Sequence, residues 1–275
     1  MRIAIIGLGL IGASIAKALN GKAEVIGIDL DAVTVNKACS EKIISYGETK
    51  LPGTLQCDMV VLAVPVGSIT QTAEMVVPRM KEGTVLTDTG STKAGIVRHI
   101  DRIWPFFVGG HPIAGKEDSG YDASQATLFK NAASIITPTQ ASRKDCIEKV
   151  TCLWRSLGAH VTLMDPDKHD ELMAIISHLP HLLSFASMSL AGDIHIHREL
   201  LGAGFRDFTR IAASDPVMWR DIFTANRDHV LKLIDDYMEE LARIKDIITR
   251  KDSLELEDVL RKYSTIRRSL YEDKR

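Results

Sequence analysis

A single histidine flanked by glycines and a proline is the residue best placed for chemistry. The tetrapeptide Gly109-Gly110-His111-Pro112 follows a short apolar run. Glycines let the backbone turn sharply or approach a ligand closely, and they keep side-chain bulk away from the imidazole. A neutral imidazole accepts protons near neutral pH, so His111 is a candidate general base. A structural histidine in a tight turn between strand and loop satisfies the same pattern, and the tetrapeptide alone does not decide between them.

A glycine-rich motif near the N-terminus indicates a second kind of chemistry. The sequence G-x-G-x-x-G follows the β-branched run 2–6 and leads into a helical pattern over 13–20. In this context the glycines allow a tight turn and let a pyrophosphate approach the N-terminus of the helix. We therefore predict a dinucleotide site formed by Gly7, Leu8, Gly9, Leu10, Ile11 and Gly12.

The end of the second predicted strand indicates which dinucleotide binds. The strand 24–28 ends in Asp29, about 20 residues after the glycine motif, as the fingerprint requires. A carboxylate there accepts both ribose hydroxyls of NAD but repels the 2′-phosphate of NADP, and residues 30–32 offer no cation. Asp31 is better placed to cap the next helix. The sequence therefore favours NAD over NADP.

Two further predicted strands end near candidate site residues. The apolar run 58–64 ends at Pro65, and the run 84–87 leads into a loop that carries Ser91. Ligands of open α/β sheets bind at the carboxyl ends of the strands. Ser91 is equally well interpreted as the N-cap of a helix starting near Thr92. We expect one crevice lined by Val64, Pro65, Ser91 and His111.

Composition and charge exclude several classes of partner. The net charge of -2 and the pI near 6.5 give no broad positive field, so no nucleic acid or anionic membrane partner is expected. The cysteines lack any pairing or C-x-x-C pattern, which is typical of buried thiols in a reducing compartment and predicts a cytoplasmic protein. The apolar stretches 3–16 and 173–192 are broken by glycines, or by histidines and a proline, so neither is predicted to be a signal peptide or a membrane span.

Strand and helix patterns alternate up to Asp165-Pro166 and are purely helical beyond it. This pattern predicts an α/β protein with an N-terminal Rossmann-type doubly wound parallel sheet over 1–165. An all-α domain is predicted over 166–275. Within it, Pro180 is expected to kink or break a helix, because it lacks an N–H and clashes with the preceding turn.

The helical region contains two candidate groups of ligand-binding side chains. Arg206 and Arg210 are spaced i, i+4, so on a helix they share a face and can clamp a carboxylate, although a solvated basic face has the same spacing. His169, His178 and His181 have no carboxylate or cysteine partner at a recognised ligand spacing, so no metal site is predicted.

A long apolar seam marks the C-terminal part of the chain. Its members alternate spacings of four and three residues, which is typical of a narrow stripe on one helix face. We expect this stripe to pack against another helix of this chain or of a second subunit. The seam consists of Val230, Ile234, Tyr237, Leu241, Ile244 and Ile248.

Taken together, these segments resemble the prephenate and arogenate dehydrogenases of tyrosine biosynthesis. The matching blocks are GLGLIG from Gly7, DTGSTK from Asp88, GGHPIAGKEDSG from Gly109, SHLPH from Ser177 and GFRDFTRIAASDPVMWRDIF from Gly204. The last three blocks in this order are specific to that family, whereas the first is shared by many dehydrogenases. The resemblance implies an NAD-dependent oxidative decarboxylation of prephenate to 4-hydroxyphenylpyruvate. It also implies a monofunctional enzyme, since no chorismate mutase segment precedes the glycine motif.

The resemblance also implies roles for individual residues. His111 would take the proton of the substrate hydroxyl, Ser91 would bind the same hydroxyl or position His111, and Arg210 would bind a substrate carboxylate. Trp219 would reach into the site of a partner subunit, because the family forms dimers through its helical domain. Further substrate contacts are expected from His181, His178, Ser177 and, less strongly, Arg206.

Other functions remain open at this point. Asp29 and His181 favour prephenate, but arogenate or both substrates fit the same motifs. A β-hydroxyacid dehydrogenase of similar architecture would use a lysine in the interdomain helix, where Lys168 stands too near the start. A regulator that only senses NAD would be expected to have lost His111 or Arg210, and both are present.

Overall fold

The computed structural model describes residues 1–115, 118–192 and 198–272. The chain divides into two compact units, Met1–Arg227 and Asp228–Arg275. Two residues of the GGHPIAGKEDSG block, Lys116 and Glu117, lie outside the described residues. The division between a sheet region and a helical region at residue 165 stays a prediction, although the last strand ends at Leu163 and the described elements that follow are helical.

The first unit is built on an eight-stranded sheet of order β3-β2-β1-β4-β5-β6-β7-β8. Neighbouring strands are parallel except β6 and β7, which pair antiparallel. The sequence-based prediction of a doubly wound sheet is confirmed, with one reversed pair and one short strand, β3, that its pattern did not reveal. The strands are β1 (Arg2–Ile6), β2 (Glu24–Ile28), β3 (Tyr46–Glu48), β4 (Met59–Leu62), β5 (Val85–Asp88), β6 (Phe107–Ile113), β7 (Ala133–Thr137) and β8 (His160–Leu163).

Helices cover both faces of this sheet, and the described elements after β8 are all helical. Helices α1 to α5 alternate with the strands, α6 to α9 complete the first unit, and α10 and α11 supply the second. They are α1 (Leu10–Leu19), α2 (Ala32–Ser40), α3 (Ile69–Val76), α4 (Ala94–Ile100), α5 (Lys144–Ser156), α6 (Pro166–Met173), α7 (Leu179–Ala191), α8 (Ala203–Thr209), α9 (Pro216–Ala225), α10 (Arg227–Arg250) and α11 (Ser253–Glu272).

Alternation along β1 shows how the two core layers form. Ile3 and Ile5 are buried in the layer that includes residues of α1 and α5, whereas Ala4 and Ile6 are buried in the layer that includes α3 and α4. Successive side chains of a strand point to opposite faces, so an uninterrupted apolar strand requires helices on both faces. This arrangement leaves the carboxyl ends of the strands to the loops that form the site.

Strand β6 extends further than the sequence indicated. The tight turn considered for the tetrapeptide Gly109-Gly110-His111-Pro112 is not formed: β6 continues to Ile113, and His111 pairs with Ile135 of β7. Strand β5 pairs with β6 only at Phe107 and Val108. Beyond that point β6 has a neighbour on one side alone, which is where a proline is tolerated in a strand. His111 is therefore held by a sheet rather than by a loop.

Pro180 does not break the helix, and the kink that was the other expected outcome stays a prediction. Helices α6 and α7 are joined by a π-helical turn, Ala174–His178, and the run Pro166–Ala191 is one uninterrupted helix. Pro180 lies in the first turn of α7, and the wider π-helical turn just before it accommodates the missing N–H. This run is long and apolar enough, by length and composition alone, to cross a membrane, a criterion that helices of soluble proteins also meet.

The second unit consists of α10 and α11. Along the predicted apolar seam of α10, Val230 is buried, whereas Tyr237, Leu241 and Ile248 are 38%, 50% and 56% exposed in the single chain. The seam is therefore only partly covered within one chain.

Candidate active site

The glycine motif forms a close turn between β1 and α1. A side chain at Gly7, which has a φ of 94°, would place its Cβ 2.5 Å from the Ala63 carbonyl oxygen, and one at Gly12 would overlap the Gly7 carbonyl. Gly9, the N-cap of α1, has open space where a Cβ would lie, and no side chain caps the helix. An uncapped helix N-terminus with open space before it fits the pyrophosphate of a dinucleotide.

Asp29 is fixed beside this turn. Its Oδ2 accepts a hydrogen bond from the Leu8 N–H at 2.6 Å, and its Oδ1 accepts one from Asp31 N–H at 2.9 Å. Asp31 itself caps α2 by accepting from the N–H groups of Val33 and Thr34 at 3.0 and 3.2 Å. The predicted division of roles is confirmed in this respect: Asp31 is the cap, and Asp29 lies at the glycine turn.

The loop after β4 completes the dinucleotide side. A methyl group of Val64 lies 3.2 Å from the position of a Cβ on Gly7, and Pro65 is exposed at the start of a short 3₁₀ helix. A Cβ on Gly67 in that helix would lie 2.8 Å from Asp221 Oδ2 of α9. The nucleotide loop is therefore in close contact with the helical part of the first unit.

His111 is the first member of a hydrogen-bonded chain of side chains. Its Nδ1 lies 2.8 Å from His169 Nε2, and His169 Nδ1 lies 2.7 Å from Asp170 Oδ1. His169 and Asp170, both on α6, are 0% and 2% exposed. The backbone of β6 thus places His111 against two buried polar residues that are adjacent in sequence.

Asp170 also caps the helix that follows the Ser91 loop. Its two carboxylate oxygens accept from Lys93 N–H at 2.7 Å and Ala94 N–H at 2.9 Å. Helix α4 starts at Ala94, so the interpretation of Ser91 as its N-cap was wrong. Ser91 is partly buried in the turn before this cap. Burial alone would raise the pKa of Asp170, but the hydrogen bonds from His169, Ala94 and Lys93 lower it overall.

A buried ion pair supports the strand that carries His111. The Lys93 side chain is fully buried, pairs with Asp88, and donates from Nζ to the Gly110 carbonyl at 2.9 Å. Asp88 accepts from the N–H groups of Gly110 and Gly90 at 3.1 and 2.9 Å. Both backbone groups of Gly110 are therefore fixed by one ion pair.

These neighbours determine the charge on His111. Burial lowers the pKa of His111 well below its ordinary value, and the charges of His169, Lys93 and His178 lower it further. Burial also lowers the pKa of Lys93, while Asp88 and Asp170 oppose that shift. His111 is accordingly a neutral imidazole at physiological pH.

Further along the helical region, an aromatic stack adjoins this chain. Asn226 donates to the Asp170 carbonyl at 2.7 Å and lies 3.0 Å from His178 Nδ1. The His178 ring meets Trp219 edge-on, and Trp219 stacks on His181 with centroids 3.7 Å apart. Trp219 is 5% exposed in the single chain. It lies against His181 of its own chain, and the expected reach of Trp219 into the site of a partner subunit stays a prediction.

His181 is oriented by the π-helical turn. Its Nδ1 donates to the Ser177 carbonyl at 2.9 Å, which leaves Nε2 as the acceptor of the neutral ring. Burial lowers the pKa of His181, the hydrogen bond to Ser177 opposes this, and the charge of Arg210 lowers it further. The charge of Arg210 therefore acts on the His181 ring.

Arg210 follows directly after α8. It is the C-cap of that helix, in helical conformation, so the predicted spacing from Arg206 is kept, and both side chains are exposed. Ser184 of α7 donates to the Phe208 carbonyl at 2.9 Å, which fixes α8 against the histidine helix.

The structure brings most of the predicted residues into one region and adds others. The rings of His178, Trp219 and His181 are in contact, and the charges of His178 and Arg210 lower the pKa values of His111 and His181, respectively. Sequence reasoning missed the role of His169 and Asp170, which follow Pro166 in a polar turn that looks like an ordinary exposed helix start. No group of three or more His, Cys, Asp or Glu residues is placed to hold a metal within residues 1–115, 118–192 and 198–272.

A Rossmann-type sheet with a glycine turn, an acidic residue at the second strand and a neutral, partly buried histidine defines an NAD-dependent dehydrogenase. Family models agree: residues 14–163 match "Prephenate dehydrogenase, nucleotide-binding domain", and residues 165–262 match "Prephenate dehydrogenase, dimerization domain". The chain belongs to the prephenate dehydrogenase family and is an NAD-dependent oxidoreductase.

Individual relatives match along nearly the whole chain. The prephenate dehydrogenase of Bacillus subtilis is 35% identical over 96% of this chain and 73% of its own length. A crystal structure of Aquifex aeolicus prephenate dehydrogenase with hydroxyphenyl propionate and NAD⁺ is 34% identical, with a TM-score of 0.92 and 98% of both chains covered. Synechocystis arogenate dehydrogenase is 28% identical, with a TM-score of 0.86, over 98% of this chain and 100% of its own.

Proposed function

We propose that this chain is a prephenate dehydrogenase that converts prephenate and NAD to 4-hydroxyphenylpyruvate, carbon dioxide and NADH in tyrosine biosynthesis. The observation that carries the proposal is the hydrogen-bonded chain from Asp170 to His111, which leaves an unprotonated nitrogen on a neutral imidazole. Membership of the family and similarity to prephenate dehydrogenases along the whole chain support it.

The reaction requires little from the protein beyond a base and a cation. When bound, NAD accepts a hydride from C4 of the substrate ring. His111 hydrogen-bonds the C4 hydroxyl and holds its proton while the ring loses its carboxylate and becomes aromatic. Ser91 contacts the same hydroxyl or positions His111. A base that is already neutral needs no prior deprotonation at physiological pH.

Substrate carboxylates are assigned to the helical side of the site. Arg210 binds a carboxylate by charge-assisted hydrogen bonds, and Arg206 adds positive charge at the same helix. The pocket wall is completed by His178, His181, Ser177 and Trp219. The stacking of Trp219 on His181 supports this assignment, because it fixes the ring that adjoins Arg210.

Cofactor contacts are assigned to the turn between β1 and α1. The backbone from Gly7 to Gly12, with Leu8, Gly9, Leu10 and Ile11, receives the pyrophosphate. Asp29 receives the adenosine ribose, and Val64 and Pro65 line the adjoining loop. The open space at Gly9 and the uncapped start of α1 support this assignment.

Arogenate is the alternative substrate. A Synechocystis arogenate dehydrogenase and a Zymomonas mobilis cyclohexadienyl dehydrogenase, 30% identical to this chain, are relatives. Arogenate carries an ammonium group where prephenate carries a keto group. The charges of Arg210 and Arg206 near that end of the pocket favour the ligand without the extra cation.

For the assembly we propose a homodimer formed by a helical domain over residues 166–275. The match to a dimerization domain and the partly exposed seam of α10 support it. A cytoplasmic location accords with the unpaired cysteines, of which Cys39 and Cys152 are exposed rather than buried as expected. Nucleic acid and membrane partners are not expected from the charge of the chain.

The first test is the initial rate of NADH formation from prephenate and from arogenate, each with NAD and with NADP. We expect prephenate with NAD to be the best pair. His111→Asn should lower kcat by about 10²–10⁴-fold, because it removes a positioned proton acceptor, and should leave NAD binding nearly intact.

The matched control is His160→Asn, which changes an exposed histidine at the start of β8. Its kcat should equal that of the wild type. Near wild-type turnover by His111→Asn, or absence of reaction with both substrates, would contradict the proposal.

A further inference from the structure

His169 contacts the nitrogen of His111 that faces away from proton transfer in the proposed reaction, and Asp170 contacts His169 in turn. The two hydrogen bonds are 2.8 and 2.7 Å long and run in series from His111 to Asp170. Both residues are buried, and the Asp170 backbone carbonyl is in turn bonded by Asn226. The series therefore has a fixed end inside the protein.

The direction of each hydrogen bond follows from the acidic end. An ionised carboxylate only accepts, so His169 must carry its proton on Nδ1 and donate it to Asp170. The neutral His169 ring then has a lone pair on Nε2, which obliges His111 to donate from Nδ1. His111 consequently keeps an unprotonated Nε2. One carboxylate thus determines the tautomer of two imidazoles.

We propose that His169 and Asp170 are positioning residues that hold His111 in its Nε2-basic tautomer and stabilise the imidazolium formed while it carries the substrate proton. This inference rests on the proposed function for the source of that proton. It assigns a role to residues of α6 that do not themselves contact the reacting atoms.

The stoichiometry of the reaction suits a proton that is held and then returned. Prephenate is a dianion; loss of a hydride to NAD and of neutral carbon dioxide leaves the monoanion of hydroxyphenylpyruvate, with its hydroxyl proton retained. The C4 hydroxyl proton moves to His111 Nε2 as the C–H bond breaks, and it returns to the same oxygen as the C–C bond to the carboxylate breaks. The buried hydrogen-bonded series suits this temporary transfer, because the proton stays on His111 until it returns to the substrate and never has to reach solvent.

The charges around His111 explain why the series must end in a carboxylate. Burial and the charges of His169, Lys93 and His178 all disfavour a positive His111. Asp88 is paired with Lys93 and bonded to the β6 backbone. Asp170 is the anion connected through His169 to the imidazole itself, so it offsets the cost of the imidazolium.

The central variant is Asp170→Asn, measured as kcat/KM and kcat against pH with the full chain and saturating NAD. Removal of the anion destabilises the imidazolium, so the pKa of His111 falls and the acid limb of kcat/KM moves to lower pH. We expect kcat on the plateau to fall by about 10²–10⁴-fold with a much smaller change in KM.

Asp165→Asn is the matched control, because the Asp165 carboxylate caps α6 by accepting from the N–H groups of Asp167 and Lys168. Its contact with His169 is made by the backbone carbonyl, which accepts from the His169 N–H at 2.9 Å and is kept in the variant.

Asp165→Asn should leave the melting temperature nearly unchanged, because asparagine caps a helix about as well as aspartate. Asp170→Asn should lower it, because an amide keeps only one of the two oxygens that accept from Lys93 N–H and Ala94 N–H. Only Asp170→Asn should change kcat and the acid limb. If Asp170→Asn differs from the wild type only in melting temperature, the positioning role is overturned.

A pair of variants at the middle position separates orientation from volume. In His169→Gln the side-chain oxygen still accepts from His111 Nδ1–H, whereas His169→Leu offers no acceptor. We expect Gln to retain at least tenfold more kcat than Leu, about the effect of a hydrogen bond to a charged group. Equal losses in both variants would overturn the proposal.

The tautomer can be measured without any turnover. In ¹⁵N-histidine-labelled wild-type protein, His111 should show a protonated Nδ1 and an unprotonated Nε2, assigned by comparison with His111→Asn. A protonated Nε2 on His111 would overturn the inference. This measurement needs no substrate. If neither prephenate nor arogenate reacts, the proposed function fails, but the observed tautomer of His111 still tests the hydrogen-bonded series.

Discussion

The two sides of the site differ in how they are held. On the His111 side, His169 and Asp170 are almost fully buried and each is fixed by hydrogen bonds to other elements. On the Arg210 side the chain is open: Phe205 and Phe208 of α8 are 37% and 48% exposed, and Arg210 is exposed as well. The His111 side therefore lies in the protein interior, whereas the Arg210 side lies on a surface formed by short helices.

This difference teaches where precision is required. A proton acceptor works only in one tautomer and within hydrogen-bond reach, so its surroundings are fixed when the chain folds. Carboxylate recognition by a long guanidinium side chain tolerates more movement. Substitutions on the buried side should therefore affect stability and kcat, and those on the open side should affect KM.

The largest effect is expected from Lys93→Met on the buried side. Removal of one partner leaves Asp88 buried and unpaired, which should destabilise the protein by ~3–5 kcal/mol in urea unfolding. Lys93→Met combined with Asp88→Asn should recover part of that loss, because no buried charge remains. Equal stability of the single variant and the wild type would show that this side is not held as described.

Arg210→Gln should give the next largest effect, on the open side. Loss of a charge-assisted hydrogen bond should raise the KM for prephenate by about 10- to 100-fold with little change in kcat. Arg206→Gln is the control at the neighbouring position and should raise KM less. A fall in kcat at unchanged KM would place Arg210 with the proton-transfer groups instead and remove the contrast between the sides.

The pH profile should show a smaller but distinctive effect. Neutral His111 is the active form, and its pKa lies well below the ordinary value because of burial and nearby positive charges. Activity should therefore stay on its plateau as the pH falls through ~6.5, where a solvent-exposed imidazole would be half protonated. A limb in kcat/KM at or above that pH would show that His111 is not held neutral.

Trp219→Phe should have the smallest effect. The ring still stacks on His181, so KM should change by no more than about threefold, and kcat should not change. Trp219→Ala removes the stack and should raise KM further, which initial rates would detect. A larger loss of kcat than of substrate affinity in either variant would assign Trp219 to the buried side.

The sequence predicted the sheet better than it predicted the base. The fingerprint around Gly7 and Asp29 is local, so each residue shows its role by its spacing alone. The sequence indicates His111 as a candidate base, but Gly109 and Gly110 before it favour a turn at this point rather than a strand. Pairing with β7 decides otherwise, and that pairing is not a local property.

The missed residues share a physical reason. His169 and Asp170 stand in a polar helical turn after Pro166, and their burial depends on packing of α6 against the start of α4, far away in sequence. Hydrophobic periodicity carries no signal for such a contact. Lys93 and Asp88 did lie in a recognised block, but a buried ion pair could not be distinguished there from exposed charges.

Asp170 connects catalysis to local folding. The same carboxylate caps α4 and accepts the proton of His169 Nδ1. A local opening that separates α6 from α4 therefore breaks both sets of hydrogen bonds at once. The amides of Lys93 and Ala94 become free to exchange, and His111 loses the support that holds its tautomer. Hydrogen exchange at those two amides therefore reports the fraction of molecules in which His111 is held in its Nε2-basic tautomer. A ligand that slows this exchange increases the fraction of molecules with a correctly held His111, even if the ligand makes no contact with His111.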